Sequence, residues 1–195
     1  MIKIYAQNPN EKAVARVADV LRSDGVIVYP TDSVYAFGCS IRSPKAIERL
    51  RALSGKKGDE FSIVCPDLST ISAYARVDNA VFKVLKRNLP GPFTFVLNAS
   101  GKVPDKFLEK RKTVGVRIPD HEFCRRMLRA LGRPIVSTSA NISGQPAPRT
   151  YSEISQDIRQ GVDLIVDPSL EGHPTRKASS IIRVGLSGEV NVIRP

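Results

Sequence analysis

Three short stretches of this 195-residue chain place hydroxyls, an amide or a cation at every second position. PIVSTSANISG, residues 134–144, begins apolar and then carries Ser137, Ser139 and Asn141 two residues apart. In VYPTDSVYAFG the residues Thr31, Ser33 and Tyr35 follow the apolar Val26–Tyr29 with the same spacing. In KTVGVRIP the series is Thr113, Gly115 and Arg117. Side chains two apart on a strand share a face, so each segment is expected to present one polar face. A buried hydroxyl without a partner costs about 1–3 kcal/mol, so several on one face point to an open polar cleft. Arg117 would be its cation, since a planar guanidinium matches a carboxylate in bidentate fashion. The competing reading is local turn and cap chemistry, with Arg117 paired to a structural acid.

A second candidate is SGKKGDE, residues 54–60, where Lys56 and Lys57 lie between glycines. It reads either as a flexible lid whose ammonium groups reach phosphates or as a plain surface turn. Neither G-x-x-x-x-G-K-S/T nor G-x-G-x-x-G occurs. The two histidines and three widely spaced cysteines form no metal-ligand pattern and no serine–histidine–acid or cysteine–histidine series. Chemistry here is therefore expected to rest on positioning and charge stabilisation, without a protein nucleophile or a protein-ligated metal.

The elements that must hold these residues alternate between helix and strand. Pro9, Val14, Val17, Ala18 and Leu21 mark a first helix ending near Gly25, followed by the strand Val26–Tyr29. Ser43-Pro44 opens a helix to about Leu53, and Phe61–Cys65 is a strand. Asp78 caps a helix that stops before Pro90-Gly91-Pro92; strands follow at Phe93–Leu97 and Thr113–Ile118. Asp120 caps a helix to about Leu131, ahead of the strand that begins at Pro134. Thr150–Glu153 has capping-box form, and strands are expected near Leu164–Val166, Ser180–Val184 and Val190–Ile193. Asn98–Lys112 reads as a basic irregular segment. The pattern is α/β: one domain over residues 1–195, a twisted mixed sheet with flanking helices.

Net charge is +11, and residues 81–133 hold thirteen basic against four acidic groups. Such a local excess suits a polyanion, RNA or a nucleotide phosphate chain, or else serves solubility. No apolar run is long enough for a membrane span, and the N-terminal residues lack a signal-peptide core, so a cytoplasmic protein is expected.

YPTDSVYAFGC, LPGPFTFVL, VGVRIPDH and PIVSTSANISG, in that order, resemble the motif set of the YrdC/YciO family of threonylcarbamoyl-AMP synthases. The resemblance runs from Tyr29 to the closing VIRP and implies a positively charged concave groove. It also implies a nucleotidyl transfer: L-threonine, bicarbonate and ATP, with Mg²⁺ on the ATP, give threonylcarbamoyl-AMP and pyrophosphate. That product serves tRNA threonylcarbamoyladenosine formation. By resemblance, Arg117 grips the threonine carboxylate, with Ser33, Ser137 and Ser179 around the amino acid. Thr113, Ser139 and Arg194 contact the nucleotide, Asn141 supports that wall, and Lys56 or Lys57 neutralises the phosphates. Two departures stand out. LSGKKGDEFSIVC lacks the family's lysine-x-arginine-proline, and Arg183 replaces an acid after Ser179-Ser180-Ile181-Ile182, as FSIVC points toward the YciO branch. The alternative reading on the same fold is a non-catalytic protein that binds tRNA or double-stranded RNA, or associates with the ribosome. A related ATP-dependent carbamoyl-type transfer to another acceptor is a third.

Overall fold

The computed structural model describes residues 11–108, 112–166 and 174–195. Pro9 and residues 109–111 of the basic segment lie outside the described residues.

The helices form where apolar spacing and capping residues agree. α1 (Glu11–Arg22) buries Ala13, Val14, Val17, Ala18 and Leu21 along one stripe. α2 (Pro44–Ser54) starts at Ser43, whose hydroxyl accepts from the Ala46 N–H; it ends at Gly55 with φ of 62°, a left-handed angle that glycine adopts freely. α3 (Leu68–Tyr74), capped by Asp67, lies where the sequence reading placed no element. α4 (Asn79–Asn88) is capped by Asp78 as expected. A short α5 (Asp105–Leu108) interrupts the segment expected to be irregular.

Two expected caps are corrected. α6 (Glu122–Leu131) has His121 at its N-cap, because the Asp120 carboxylate turns outward to Arg125. Thr150 opens only a 3₁₀ turn, Tyr151–Glu153, without a side-chain cap. Its hydroxyl pairs with Ser152 and the Glu153 carboxylate accepts from the Arg149 N–H, so the capping box does not close. α7 (Gln156–Gly161) starts from Ser155 instead.

The strands are β1 (Val26–Tyr29), β2 (Ala36–Ser40), β3 (Ser62–Val64), β4 (Phe93–Asn98), β5 (Thr113–Arg117), β6 (Ile135–Ser139), β7 (Leu164–Ile165), β8 (Ser180–Val184) and β9 (Val190–Arg194). They form one mixed nine-stranded sheet in the order β7-β1-β2-β6-β3-β5-β4-β8-β9. β2 was not foreseen. The chain reverses after Tyr29 and returns antiparallel to β1, so Thr31, Ser33 and Tyr35 lie in the connecting turn and at the mouth of β2, not along one strand face. The physical reason is Pro30, whose missing N–H ends the ladder, followed by a turn closed by the Thr31 hydroxyl donating to the Val34 carbonyl.

One sheet face packs α2, α3, α4, α5 and α7 onto Val28, Phe37, Ile63, Val116 and Phe95. The opposite face carries α1 and α6, but only over Ile27, Tyr29, Ala36, Val64 and Ile135. Across the rest of that face runs a register row of Gly38, Ser137, Ser62, Gly115, Val96 and Arg183. Here Ser62, Val96, Asn98, Thr113 and Ser139 are half-buried and Arg183 is exposed. This is the polar strip that the two-residue spacing anticipated.

Candidate functional site

Register divides the open strip into two ends. Arg117 stands level with Val64 and Ile135, and Ser139 lies four residues along β6 from Ile135. At about 3.3 Å per residue the two ends are roughly 13 Å apart.

At the first end the β1–β2 turn reaches across to Arg117. The guanidinium Nη2 donates to Asp32 Oδ1 at 2.5 Å and to Ser33 Oγ at 2.8 Å. Asp32 Oδ2 accepts from the Asp120 N–H just beyond β5. Arg117 and Asp32 are 9% and 8% exposed, so the pair is largely dry. Asp32 escaped the sequence reading, which weighed a structural acid for Arg117 without naming one. The signal was present: an acid between two hydroxyls in a turn. Arg117 Nε is buried and makes no hydrogen bond within the described residues. Ser33 is fully buried, and its hydroxyl also meets that of Thr31.

Ser137 shares this face, but its hydroxyl is already engaged: it donates to the Phe37 carbonyl at 2.7 Å and meets Tyr29 Oη at 2.8 Å. Burial pushes the Tyr29 phenol well above its ordinary range, so it stays neutral and able to donate. Gly38 opens the space for that ring, since a Cβ there would sit 2.9 Å from Tyr29 Cε1.

Ser179 and Arg194 also stand at the first end, because Thr94, Ile181 and Arg194 continue the register outward from β5. Ser179 Oγ meets Thr94 Oγ1 at 2.9 Å, and the Ser179 carbonyl accepts from Arg194 Nε and Nη2 at 3.1 and 2.7 Å. Arg194, which the resemblance gave to the nucleotide, therefore rises beside Ser179. Its charge acts on Lys56, and desolvation, then the charge of Arg117, lowers its own pKa.

At the second end the structure separates the two lysines. Lys57 is exposed, at the start of the 3₁₀ turn Gly58–Glu60. Lys56 is buried and points inward: its Nζ donates to Ser139 O at 2.7 Å, Ser139 Oγ at 2.9 Å, Asn141 Oδ1 at 2.9 Å and Thr138 Oγ1 at 3.2 Å. Desolvation lowers its pKa from 10.5 to about 8, opposed by Glu60 and assisted by Arg194. Asn141 lies past the end of β6, where its amide Nδ2 donates to the Ile142 and Gln145 carbonyls and so aims Oδ1 at the lysine. Thr113 is half-buried at the start of β5, two residues from Gly115 on the same face.

The described residues contain no cluster of three histidine, cysteine, aspartate or glutamate side chains placed to hold a metal, and no helix long and apolar enough to cross a membrane.

A family model for Sua5, YciO and YrdC proteins, described as telomere recombination, matches residues 19–195. The chain is 40% identical over 166 residues to YciO of Escherichia coli (strain K12), covering 84% of this chain and 81% of that protein. Against the crystal structure of E. coli YciO the TM-score is 0.88, with 98% of this chain and 92% of the other covered. A threonylcarbamoyl-AMP synthase of Idiomarina loihiensis is 36% identical over 160 residues, covering 78% and 85%. The structure of P. abyssi Sua5 complexed with L-threonine gives a TM-score of 0.88 at 26% identity; it covers all of this chain but 57% of the Sua5 chain.

Proposed function

The chain belongs to the Sua5/YciO/YrdC family, and from that membership we propose that it is a threonylcarbamoyl-AMP synthase, supplying threonylcarbamoyl-adenylate for tRNA threonylcarbamoyladenosine formation. The observation that carries the reading is the convergence of Arg117, Arg194 and Lys56 with serine hydroxyls on one uncovered sheet face, at two ends suited to an amino acid and a nucleotide. Support comes from the relative whose structure holds L-threonine and from the synthase of Idiomarina loihiensis.

In this reading L-threonine lies at the Arg117 end, its carboxylate on the unbonded Nε and its flanks against Ser33, Ser137 and Ser179. ATP lies toward Ser139, Thr113 and Asn141, with Lys56 beside its phosphates and Arg194 between the two substrates. Mg²⁺ enters as part of the substrate, on the triphosphate. Once the threonine ammonium has lost its proton to solvent, the amine attacks the carbon of bicarbonate and water is lost, giving a carbamate. A carbamate oxygen then attacks the α-phosphorus, the α–β bond breaks, and pyrophosphate leaves. The protein contributes proximity and opposing charge to this sequence, which is where most of phosphoryl-transfer catalysis resides.

The test is to incubate the pure protein with ATP, L-threonine and bicarbonate and to follow pyrophosphate. Release that depends on both threonine and bicarbonate is expected. ATP turnover indifferent to threonine would reject the assignment.

A second reading, RNA binding, is favoured by the exposed Lys83, Lys86 and Arg87 on α4, with Lys102, Lys112 and Arg129 also at the surface. α4 packs on the sheet face opposite the strip, so both readings can hold together. Phosphate-backbone binding predicts affinity that falls steeply with salt.

A further inference from the structure

We propose that Asp32 binds the α-ammonium of the amino-acid substrate, so that Asp32 and Arg117 form one site for a zwitterion; this rests on the reading that the cleft takes an amino acid. Two observations carry it. Arg117 is nine-tenths buried, yet its Nε makes no hydrogen bond within the described residues. A buried guanidinium donor without an acceptor is rare in folded proteins and marks a place where an acceptor is missing. Beside it, each Asp32 carboxylate oxygen accepts from one donor among the described residues: Oδ1 from Arg117 and Oδ2 from the Asp120 N–H. An ionised carboxylate has about four lone-pair positions, so accepting capacity remains.

The charges decide the ligand class. Any anion brought to Arg117 Nε also approaches the Asp32 carboxylate, 2.5 Å from Nη2 of the same guanidinium. A simple carboxylate or a phosphate would meet that negative charge uncompensated, in a nearly dry setting where it is poorly screened. An α-amino acid carries its own positive charge one carbon from its carboxylate. It can give the carboxylate to Arg117 and the ammonium to Asp32 without leaving either protein charge unpaired. At the other end, the Lys56 ammonium is ringed by neutral acceptors, two hydroxyls, a carbonyl and an amide oxygen, with the Glu60 charge acting on it from outside that ring. The acid at one end and its absence from the ring at the other sort the two substrates: the zwitterion to Arg117, the polyanion to Lys56. Asp32 is thereby a specificity residue, excluding hydroxy acids and phosphates from the amino-acid end.

Isothermal calorimetry on the full chain tests this with L-threonine, with 3-hydroxybutyrate, which is threonine without its amine, and with the Asp32→Asn variant. The wild type is expected to prefer L-threonine by about 10- to 100-fold, the range for a hydrogen bond between charged groups. Asp32→Asn should lose L-threonine affinity by a similar factor, and the preference over 3-hydroxybutyrate should collapse. Equal binding of the two ligands by the wild type overturns the proposal, whether or not the variant folds. So does tighter threonine binding by Asp32→Asn, which would make Asp32 a competitor for Arg117. If the wild type binds no L-threonine at all, the amino-acid reading of the cleft fails first, and this proposal falls with it.

Discussion

Replacing Lys56 by methionine separates the energetics of the apo cleft from those of ligand binding. The ammonium is held by four oxygen acceptors, yet burial lowers its pKa from 10.5 to about 8. That shift corresponds to roughly 3 kcal/mol of disfavour for the charged form. Methionine removes this disfavour and keeps the length of the stem. Against the gain stand Ser139 Oγ, Thr138 Oγ1 and Asn141 Oδ1, each losing a donor at about 1–3 kcal/mol if no water replaces it. Ser139 is half-buried, so water reaches at least part of the ring. With water keeping each of the three losses near the low end of that range, about 3 kcal/mol in all, the two sides nearly cancel, and the change in stability should stay within about 2 kcal/mol, a Tm shift of only a few degrees. Ligand affinity has no such compensation. An anion arriving at Lys56 supplies the counter-charge that the ring lacks, so Lys56→Met should weaken ATP binding by about 10- to 100-fold. Thermal denaturation and ATP calorimetry on the same samples give both quantities. A stability loss well above 2 kcal/mol with unchanged ATP affinity would show a structural clamp and refute the reasoning. pH supplies a second arm. Because the lowered pKa leaves the side chain charged below about 8 and neutral above it, wild-type ATP affinity should decline as pH rises through 8–9, while Lys56→Arg, permanently charged, should not decline there.

Further outcomes follow from other contacts. Arg117→Met leaves Asp32 charged in a site only 8% exposed, and should cost about 3–5 kcal/mol in urea denaturation besides abolishing threonine binding; a cost below 1 kcal/mol would show that water enters the pair. Gly38→Ala places a methyl 2.9 Å from Tyr29 Cε1 and 3.1 Å from Ile135 Cδ1. That overpacking should cost about 1–3 kcal/mol by thermal unfolding and loosen Tyr29 from Ser137; an unchanged Tm would mean the ring moves freely. If α4 binds an RNA backbone, Lys86→Ala with Arg87→Ala should lower the log–log salt slope of duplex RNA affinity by about 2, and a slope equal to wild type would remove that helix from the interface.

Much of this cleft was legible because strand geometry is periodic. Thr113, Gly115 and Arg117 do share a face with Ser137 and Ser139, as two-residue spacing requires, and register across β3 brings the two sets together. The same rule failed at Thr31, Ser33 and Tyr35, because spacing alone does not reveal where a chain reverses; Pro30 and the Thr31 turn end the strand first. Ser33 nevertheless reaches Arg117, by way of the turn. Lys56 and Lys57 were indistinguishable in sequence, since which neighbour faces inward depends on how α2 ends at Gly55 and how the next turn begins. Asp32 and Tyr29 were missed for a related reason. Their partners, Arg117 and Ser137, lie 85 and 108 residues away, and no local pattern encodes a contact of that span. The helices α4 and α2 were read correctly because Asp78 and Ser43 declare their starts locally, whereas Asp120 and Thr150 found other partners in three dimensions.

The position of β3 has a kinetic consequence. This three-residue strand sits between β6 and β5, whose nearest residues lie roughly fifty or more positions further along the chain. Closing such long loops is slow compared with helix formation. Helices such as α4 and α6 can form before the sheet is joined, but Arg117 and Ser137 meet across the strip only once β3 has been clasped from both sides. After dilution from denaturant, far-ultraviolet helicity should therefore recover before the capacity to hold a ligand, which makes binding a late and cooperative marker of the native state.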